Sequence, residues 1–229
     1  MDAKNTNHRS SVANAKRTAI LDAAKKLFLE SGYSATGMTE IARLADVSTA
    51  TLYKYFRSKD ILFGEIIDRS TENLDMDLGK LTIDPTLIDN AYMTANRLLK
   101  SFLDSDLPSL MRVVIAEAFL SPELARSTFD RLAQKWYGPS QKIMDELVRA
   151  GIARPHDTAR SARFLIGMIK ESSIWPSLFG METDTSRETR HSAMREIVAV
   201  FMTHYGTDSF KSNPVTREWI KPLPGTHSD

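Results

Sequence analysis

Ser48, Thr49, Ala50, Thr51, Tyr53, Lys54 and Tyr55 crowd one short stretch of the chain. Their chemistry is hydrogen bonding. Hydroxyls and phenols offer both donors and acceptors, and Lys54 is the only long cation among them. On one face of a helix, such a set suits the major groove of a nucleic acid duplex. The small side chains at the start permit close approach, and the hydroxyls and the helix N-terminus reach phosphate or base edges. The phenols of Tyr53 and Tyr55 can donate to phosphate oxygens. Lys54 is the leading candidate for a base contact.

That face must be held by a partner element, and the preceding residues supply one. Ile41, Ala42 and Ala45 place apolar atoms on one side of a short helix over 38–45. Val47 in the turn, with Leu52 and Phe56 on a second short helix over 49–56, forms the complementary half of the same small core. The small Ala42 and Ala45 allow two helices to approach closely at a steep angle. The connection of three to four residues is what a helix-turn-helix requires. Asp46 occupies the turn position that most often holds Gly, and Asp tolerates the left-handed conformation better than most other residues.

The rest of the chain reads as helix, so the expected fold is all-α. Residues 1–13 are polar and expected to form a frayed, flexible arm. A helix from about Asn14 carries Ile20, Ala24, Leu27 and Phe28 on one face and ends at Gly32. Ser58 caps a helix expected over 59–79, with Ile61, Leu62, Ile66 and Ile67 apolar. Further helices are expected from Asp84 to Ser105, from Asp106 to Leu120, from Ser121 onward with a kink or break at Gly138-Pro139, from Arg154 to Phe179, and from Asp184 to Tyr205. The tail holds Pro214, Pro222 and Pro224 and reads as irregular. The expected division is an arm over 1–13, a nucleic-acid-binding domain over 14–64, a helical body over 65–206 and a tail over 207–229.

Charge supports this division. The 229 residues carry a formal net charge of +1, which by itself argues against a nucleic acid partner. Residues 1–60, however, hold ten basic and six acidic side chains, and the remainder holds 20 basic and 23 acidic. A basic end on a slightly acidic body suits a polyanion at one end.

Other function classes find little. The chain has no Cys, hence no disulfide, thiol nucleophile or Cys-based zinc site. Its five His (His8, His156, His191, His204, His227) form no metal-ligand spacing, and no metal or cofactor is expected. No nucleophile elbow, phosphate-binding loop or dinucleotide fingerprint is present. Asp145-Glu146 is an acid pair that reads as a solvated helix face. No enzyme activity is expected. No apolar run approaches the ~18–20 residues that span a bilayer, and nothing at the N-terminus resembles a secretory signal, so a cytoplasmic protein without a membrane partner is expected.

The segment from Thr39 to Phe63, with its Ile41-Ala42, Val47-Ser48, Thr51-Leu52-Tyr53, Tyr55-Phe56 and Ser58-Lys59 pairs, closely resembles the DNA-binding segment of TetR-family transcriptional regulators. The likeness covers roughly 16–64. It implies that Thr39 touches DNA from the first helix of the motif and that Thr49, Ala50 and Lys54 face bases. It also implies that Thr51, Tyr53, Tyr55 and Lys59 contact phosphate, with Ser48 beside them. Two departures stand out: Asp46 replaces the usual Gly, and Gly37 stands where the family often has a capping Thr, so one phosphate-binding hydroxyl is missing.

In the body, Phe102, Met111, Ile115, Phe119, Trp136, Met144, Phe164, Met168 and Trp175 offer wide apolar side chains on several helices. Adaptable Met beside Trp and Phe suits a loosely shaped cavity, although plain core accounts for many of them. Polar candidates for orienting a ligand are Arg112, Glu117, Glu171 and Ser172, with an Arg112–Glu117 surface ion pair as the simpler reading. The run 110–117, then Pro122-Glu123-Leu124-Ala125, the run 164–167 and Trp175-Pro176 resemble the C-terminal domain of the AefR-like subgroup of the family. This resemblance implies an effector cavity and a dimer interface on the last two long helices. Candidates for that interface are Ala159, Ala162, Ile166, Ile169, Ala193, Ile197, Val200 and Phe201, whose alternative is burial within one chain. Two such helices from each chain suit a four-helix bundle.

The resulting expectation is a homodimeric repressor bound to a palindromic double-stranded operator and released by a small apolar or amphipathic ligand. The alternative in the same class is an activator or a ligand-independent regulator. A helical enzyme or carrier, or a protein-only interaction module, stands further off.

Overall fold

The computed structural model describes residues 3–72, 96, 99–100, 102–181, 184 and 186–212. Among these the chain is helical with no strand, and an isolated bridge joins Ala153 and Gly206. No described helix is long and apolar enough to cross a membrane. The chain divides into two compact units. The first holds the residues up to Glu72 together with Ser109–Arg131, and the second holds the described residues up to Pro108 and from Leu132 onward.

In the first unit α1 (Ala3–Ser31), α2 (Met38–Leu44), α3 (Thr49–Tyr55) and α4 (Lys59–Ser70) enclose a core of Ile20, Ala24, Phe28, Ile41, Leu52, Phe56, Leu62, Phe63 and Ile67. Phe28, Tyr33 and Phe63 meet as an aromatic triangle with centroid separations of 5.3–5.5 Å. The expected frayed arm is instead the start of α1. No Gly or Pro interrupts the sequence before Gly32, so the helix continues back to Ala3. Gly32 ends α1 at φ 84°, in the left-handed region its sequence position implied. Ser58 caps α4 by accepting from the Ile61 amide at 3.2 Å, while Ile61 itself is exposed and not part of the core.

α5 (Leu107–Glu117) and α6 (Pro122–Arg149) follow. Of the kink or break expected at Gly138-Pro139, the break does not occur, and α6 runs through these residues. Pro139 forfeits a single helical bond, and the Ser140 hydroxyl donates to the Trp136 carbonyl at 2.6 Å beside it. α7 (Thr158–Leu178) starts four residues beyond Arg154, because Asp157 is the cap, accepting from the Arg160 amide at 3.0 Å. Ser186 likewise caps α8 (Arg187–Tyr205). The start of the expected irregular tail is a short helix, α9 (Asp208–Ser212). It is fixed by Phe210, which is buried with Ile143, Met144, Leu147, Ala153, Ala162, Phe201 and Met202. The rest of the tail, and most of the helices expected over 59–79 beyond Glu72 and over 84–105, lie outside the described residues.

Candidate nucleic-acid interface

α2 and α3 are joined by Ala45, Asp46, Val47 and Ser48. Asp46 has φ 52°, the one left-handed non-Gly residue among those described. The Asp46 amide donates to the Arg43 carbonyl at 3.3 Å and the Val47 amide to the Ala42 carbonyl at 3.0 Å. This paired arrangement closes α2 and turns the chain sharply into α3. Leu52 and Phe56 are buried, as are Ile41, Ala42 and Ala45, so the two short helices share the small core that their spacing implied.

Packing Leu52 inward leaves the other face of α3 outward. Ala50, Tyr53 and Lys54 are exposed, and Thr49, Thr51 and Tyr55 are half-buried. Thr39 is exposed on the first turn of α2, next to Gly37, which caps α2 without a side-chain bond. Thr39, Tyr53, Lys54 and Tyr55 have no side-chain partner among the described residues. These groups therefore keep their hydrogen-bonding capacity for another molecule.

Three candidate phosphate contacts, Ser48, Thr51 and Lys59, already have partners within the fold. The Ser48 hydroxyl caps α3, accepting from the Thr51 amide at 3.1 Å and lying 2.8 Å from the Thr51 hydroxyl. The Lys59 ammonium donates to the carbonyls of Tyr33 (2.8 Å) and Thr36 (3.0 Å), reaches that of Ser34 at 3.5 Å, and lies 4.3 Å from the Tyr33 ring centre. Lys59 thus clamps the turn that leads into α2. Burial lowers its pKa, against the opposing pull of Asp60 and Glu117.

The same turn is gripped by residues that sequence reasoning did not connect. The Tyr33 phenol donates to Asp60 at 2.5 Å. Its pKa is pushed up, first by burial, then by the hydrogen bond to Asp60 and by the charges of Asp60 and Glu117. Glu117, at the end of α5, accepts from the Ser34 amide at 2.9 Å and from the Ser34 hydroxyl at 2.5 Å. Those bonds lower its pKa. Glu117 was expected as a ligand-orienting or ion-paired residue, whereas here it anchors the α1–α2 turn. Arg112, its supposed partner, donates to Ser109 at 2.8 Å. Arg131 of α6 pairs with Asp68 of α4.

Residues 20–66 match the family model of bacterial regulatory proteins of the TetR family, and residues 93–207 match that of the AefR-like transcriptional repressor C-terminal domain. The chain belongs to the TetR family. A TetR-family transcriptional regulator from Mesorhizobium loti superposes with TM-score 0.70 at 25% identity, covering 85% of this chain and 98% of its own. The HTH-type transcriptional repressor ComR of Escherichia coli is 26% identical over 167 residues, 69% of this chain and 78% of ComR. The HTH-type transcriptional regulator YhgD of Bacillus subtilis is 45% identical over 51 residues, 22% of this chain, and the chain spans only 27% of YhgD's length. As a TetR-family member the chain is a DNA-binding transcriptional regulator and not an enzyme.

The sequence candidates in the body of this TetR-family regulator are placed more unevenly. Met111, Ile115 and Phe119 belong to the first unit, and Phe119 is 94% exposed. In the second unit Phe102 meets Trp136 edge-on at 6.1 Å, while Met144 and Met168 pack in the separate cluster around Phe201. Phe164 and Trp175 are 55% and 47% exposed. Of the expected interface residues, Ala162, Ile197 and Phe201 are buried within the chain's own core, the alternative that their apolar spacing left open. Ala193, Ile166 and Ile169 are half-buried, and Ala159 and Val200 are exposed. Among the described residues no group of three His, Asp or Glu could hold a metal ion.

Proposed function

We propose that this TetR-family regulator is a homodimeric repressor that binds a palindromic operator and releases it when a small ligand occupies its C-terminal domain. The observation that carries the DNA-reading half is the outward face of α3. Ala50, Tyr53 and Lys54 are exposed beyond a turn built on the left-handed Asp46, with Thr49, Thr51 and Tyr55 at the margins. In this reading Thr39, Thr49, Ala50 and Lys54 face bases, and Thr51, Tyr53 and Tyr55 reach phosphate. Lys59 and Ser48 contribute by holding the turn and the helix in place.

Repression is supported by the AefR-like repressor match over residues 93–207 and by the likeness to ComR. Dimerisation is supported by the apolar side chains that α7 and α8 leave outward, namely Phe164, Trp175 and Val200. A dimer would set two recognition helices about one DNA turn, ~34 Å, apart. The ligand would weaken DNA binding by its differential affinity for the two states of the protein. The site of action is the cytoplasm.

The test is binding of purified full-length protein to the DNA upstream of its own gene, titrated with salt, beside sedimentation to give the oligomeric state. Salt-sensitive binding by a dimer is expected. Lys54→Ala should relax sequence preference at one base pair per half-site. A monomer that shows no preference for that DNA over unrelated DNA would refute the reading. A reporter fused to the upstream region should rise when the gene is deleted, and a fall would establish an activator instead.

A further inference from the structure

The second unit contains a cluster that the DNA-reading function does not use. On α7, Arg163, Gly167 and Lys170 lie along one face, at i, i+4 and i+7. Opposite them α6 presents Trp136 and Tyr137. The Lys170 ammonium lies 4.4 Å from the Trp136 ring centre and 5.1 Å from that of Tyr137, and it donates to the Tyr137 hydroxyl at 3.1 Å. The Arg163 guanidinium lies 5.3 Å from the same Tyr137 ring. Neither cation has a carboxylate partner among the described residues. Glu171 is next in sequence to Lys170, but successive helical residues point ~100° apart.

Three donors converge here. The Tyr137 oxygen accepts from Lys170 and so keeps its own proton to give. Lys170 is half-buried, and a cation drawn partly out of water favours an anion. Between the two cations Gly167 leaves room, because nothing lies within 4 Å of where its Cβ would stand. Beside the donors, Trp136, with Phe102 edge-on to it, offers an apolar wall. A guanidinium fork, an ammonium and a phenol suit a planar, singly charged head better than a neutral one.

We propose that Lys170, Arg163 and Tyr137 form an anion-binding subsite, and that the effector is a small organic carboxylate whose apolar body lies against Trp136. This rests on the effector-responsive reading above for its role, though not for its binding chemistry. Phe102 and Trp136 were among the apolar candidates in the sequence, whereas the polar anchors proposed there did not include Lys170.

The test is calorimetric titration of the full-length dimer with 1-naphthoate and with 1-naphthamide, its neutral isostere. Naphthoate should bind at least about tenfold more tightly. Lys170→Met should abolish that preference while leaving naphthamide affinity unchanged, and Gly167→Leu should weaken naphthoate by filling the gap. Circular dichroism and operator binding without ligand serve as folding controls. Equal affinity for the two probes, no binding of naphthoate, or a preference that survives Lys170→Met would overturn the subsite. Naphthoate that binds yet leaves operator affinity unchanged would overturn its role as the effector site. Failure of the ligand-free protein to bind its operator would refute the repressor reading alone, since the calorimetric preference stands or falls by itself.

Discussion

Replacing Asp46 by Gly should strengthen the turn between the two DNA-reading helices. An L-residue in the left-handed region costs roughly 1–2 kcal/mol, and Asp pays somewhat less than most. Gly pays none of this but loses more freedom on folding, about 0.5–1 kcal/mol. The Asp46 carboxylate makes no hydrogen bond among the described residues, so its removal forfeits no partner. The balance favours Gly by about 0.5–1 kcal/mol. Val at the same position should instead lose about 1 kcal/mol or more relative to Asp, being β-branched at φ 52°. The readout is local: the Val47 amide closes the turn onto the Ala42 carbonyl at 3.0 Å, and its hydrogen exchange reports opening. Exchange should slow about two- to fivefold in Asp46→Gly and quicken in Asp46→Val. Asp46→Asn, which removes the charge and keeps the shape, should exchange as the wild type does. Equal rates in the Gly, Asp and Val proteins would show that the turn carries no strain and that the reasoning is wrong.

Four further outcomes follow from the same unit and its neighbour. Lys59→Met should lower stability by about 1–2 kcal/mol, since a half-exposed ammonium leaves its carbonyl partners, while Lys54→Ala should stay within about 0.5 kcal/mol; thermal unfolding compares them. Tyr33 should deprotonate well above the ordinary tyrosine range in an alkaline absorbance titration, a late component that Tyr33→Phe removes. Its raised pKa contributes stability that is complete below pH ~10 and lost as pH rises beyond it, so Tyr33→Phe should flatten that part of the pH–stability curve. A double-mutant cycle of Ser34→Ala and Glu117→Ala should give a coupling of about 0.5–1 kcal/mol, small because both groups face water, and additivity would deny the contact. Gly206→Ala should cost about 1–3 kcal/mol in the thermal unfolding of the full chain, because its Cβ would stand 2.4 Å from the Met202 carbonyl oxygen.

The parts of the fold that were legible in the sequence are those decided within a few residues. The turn at Asp46, the cap at Ser58 and the end of α1 at Gly32 each depend on local backbone conformation, and each stands where its residue type required. The inward face of α3 was equally readable, because Leu52 and Phe56 have no other core to enter. What could not be read is which long-range partner a polar or apolar residue takes. Ser34 and Glu117 are 83 positions apart and lie on segments that look unrelated. Lys59 looks like a surface cation until the carbonyls of residues 33–36 are seen to end beneath it. Helical spacing marks Ala162, Ile197 and Phe201 as apolar, yet spacing cannot say whether the apolar face meets its own chain or a second copy. Gly138-Pro139 reads as a break only if one missing amide cannot be tolerated, and the continuous α6 forfeits just the bond Pro139 would have given to the Lys135 carbonyl.

The segment Ser109–Arg131 belongs with the N-terminal helices although residues 73–108 intervene. Anyone wishing to graft this DNA reader onto another sensor would be tempted to cut after α4. Such a fragment would carry Ser34 without its carboxylate and Asp68 without its guanidinium. The smallest transferable reader is therefore discontinuous in the gene. Recombination that swaps heads between members of the family has to respect three seams, after Glu72, before Ser109 and after Arg131, instead of a single junction.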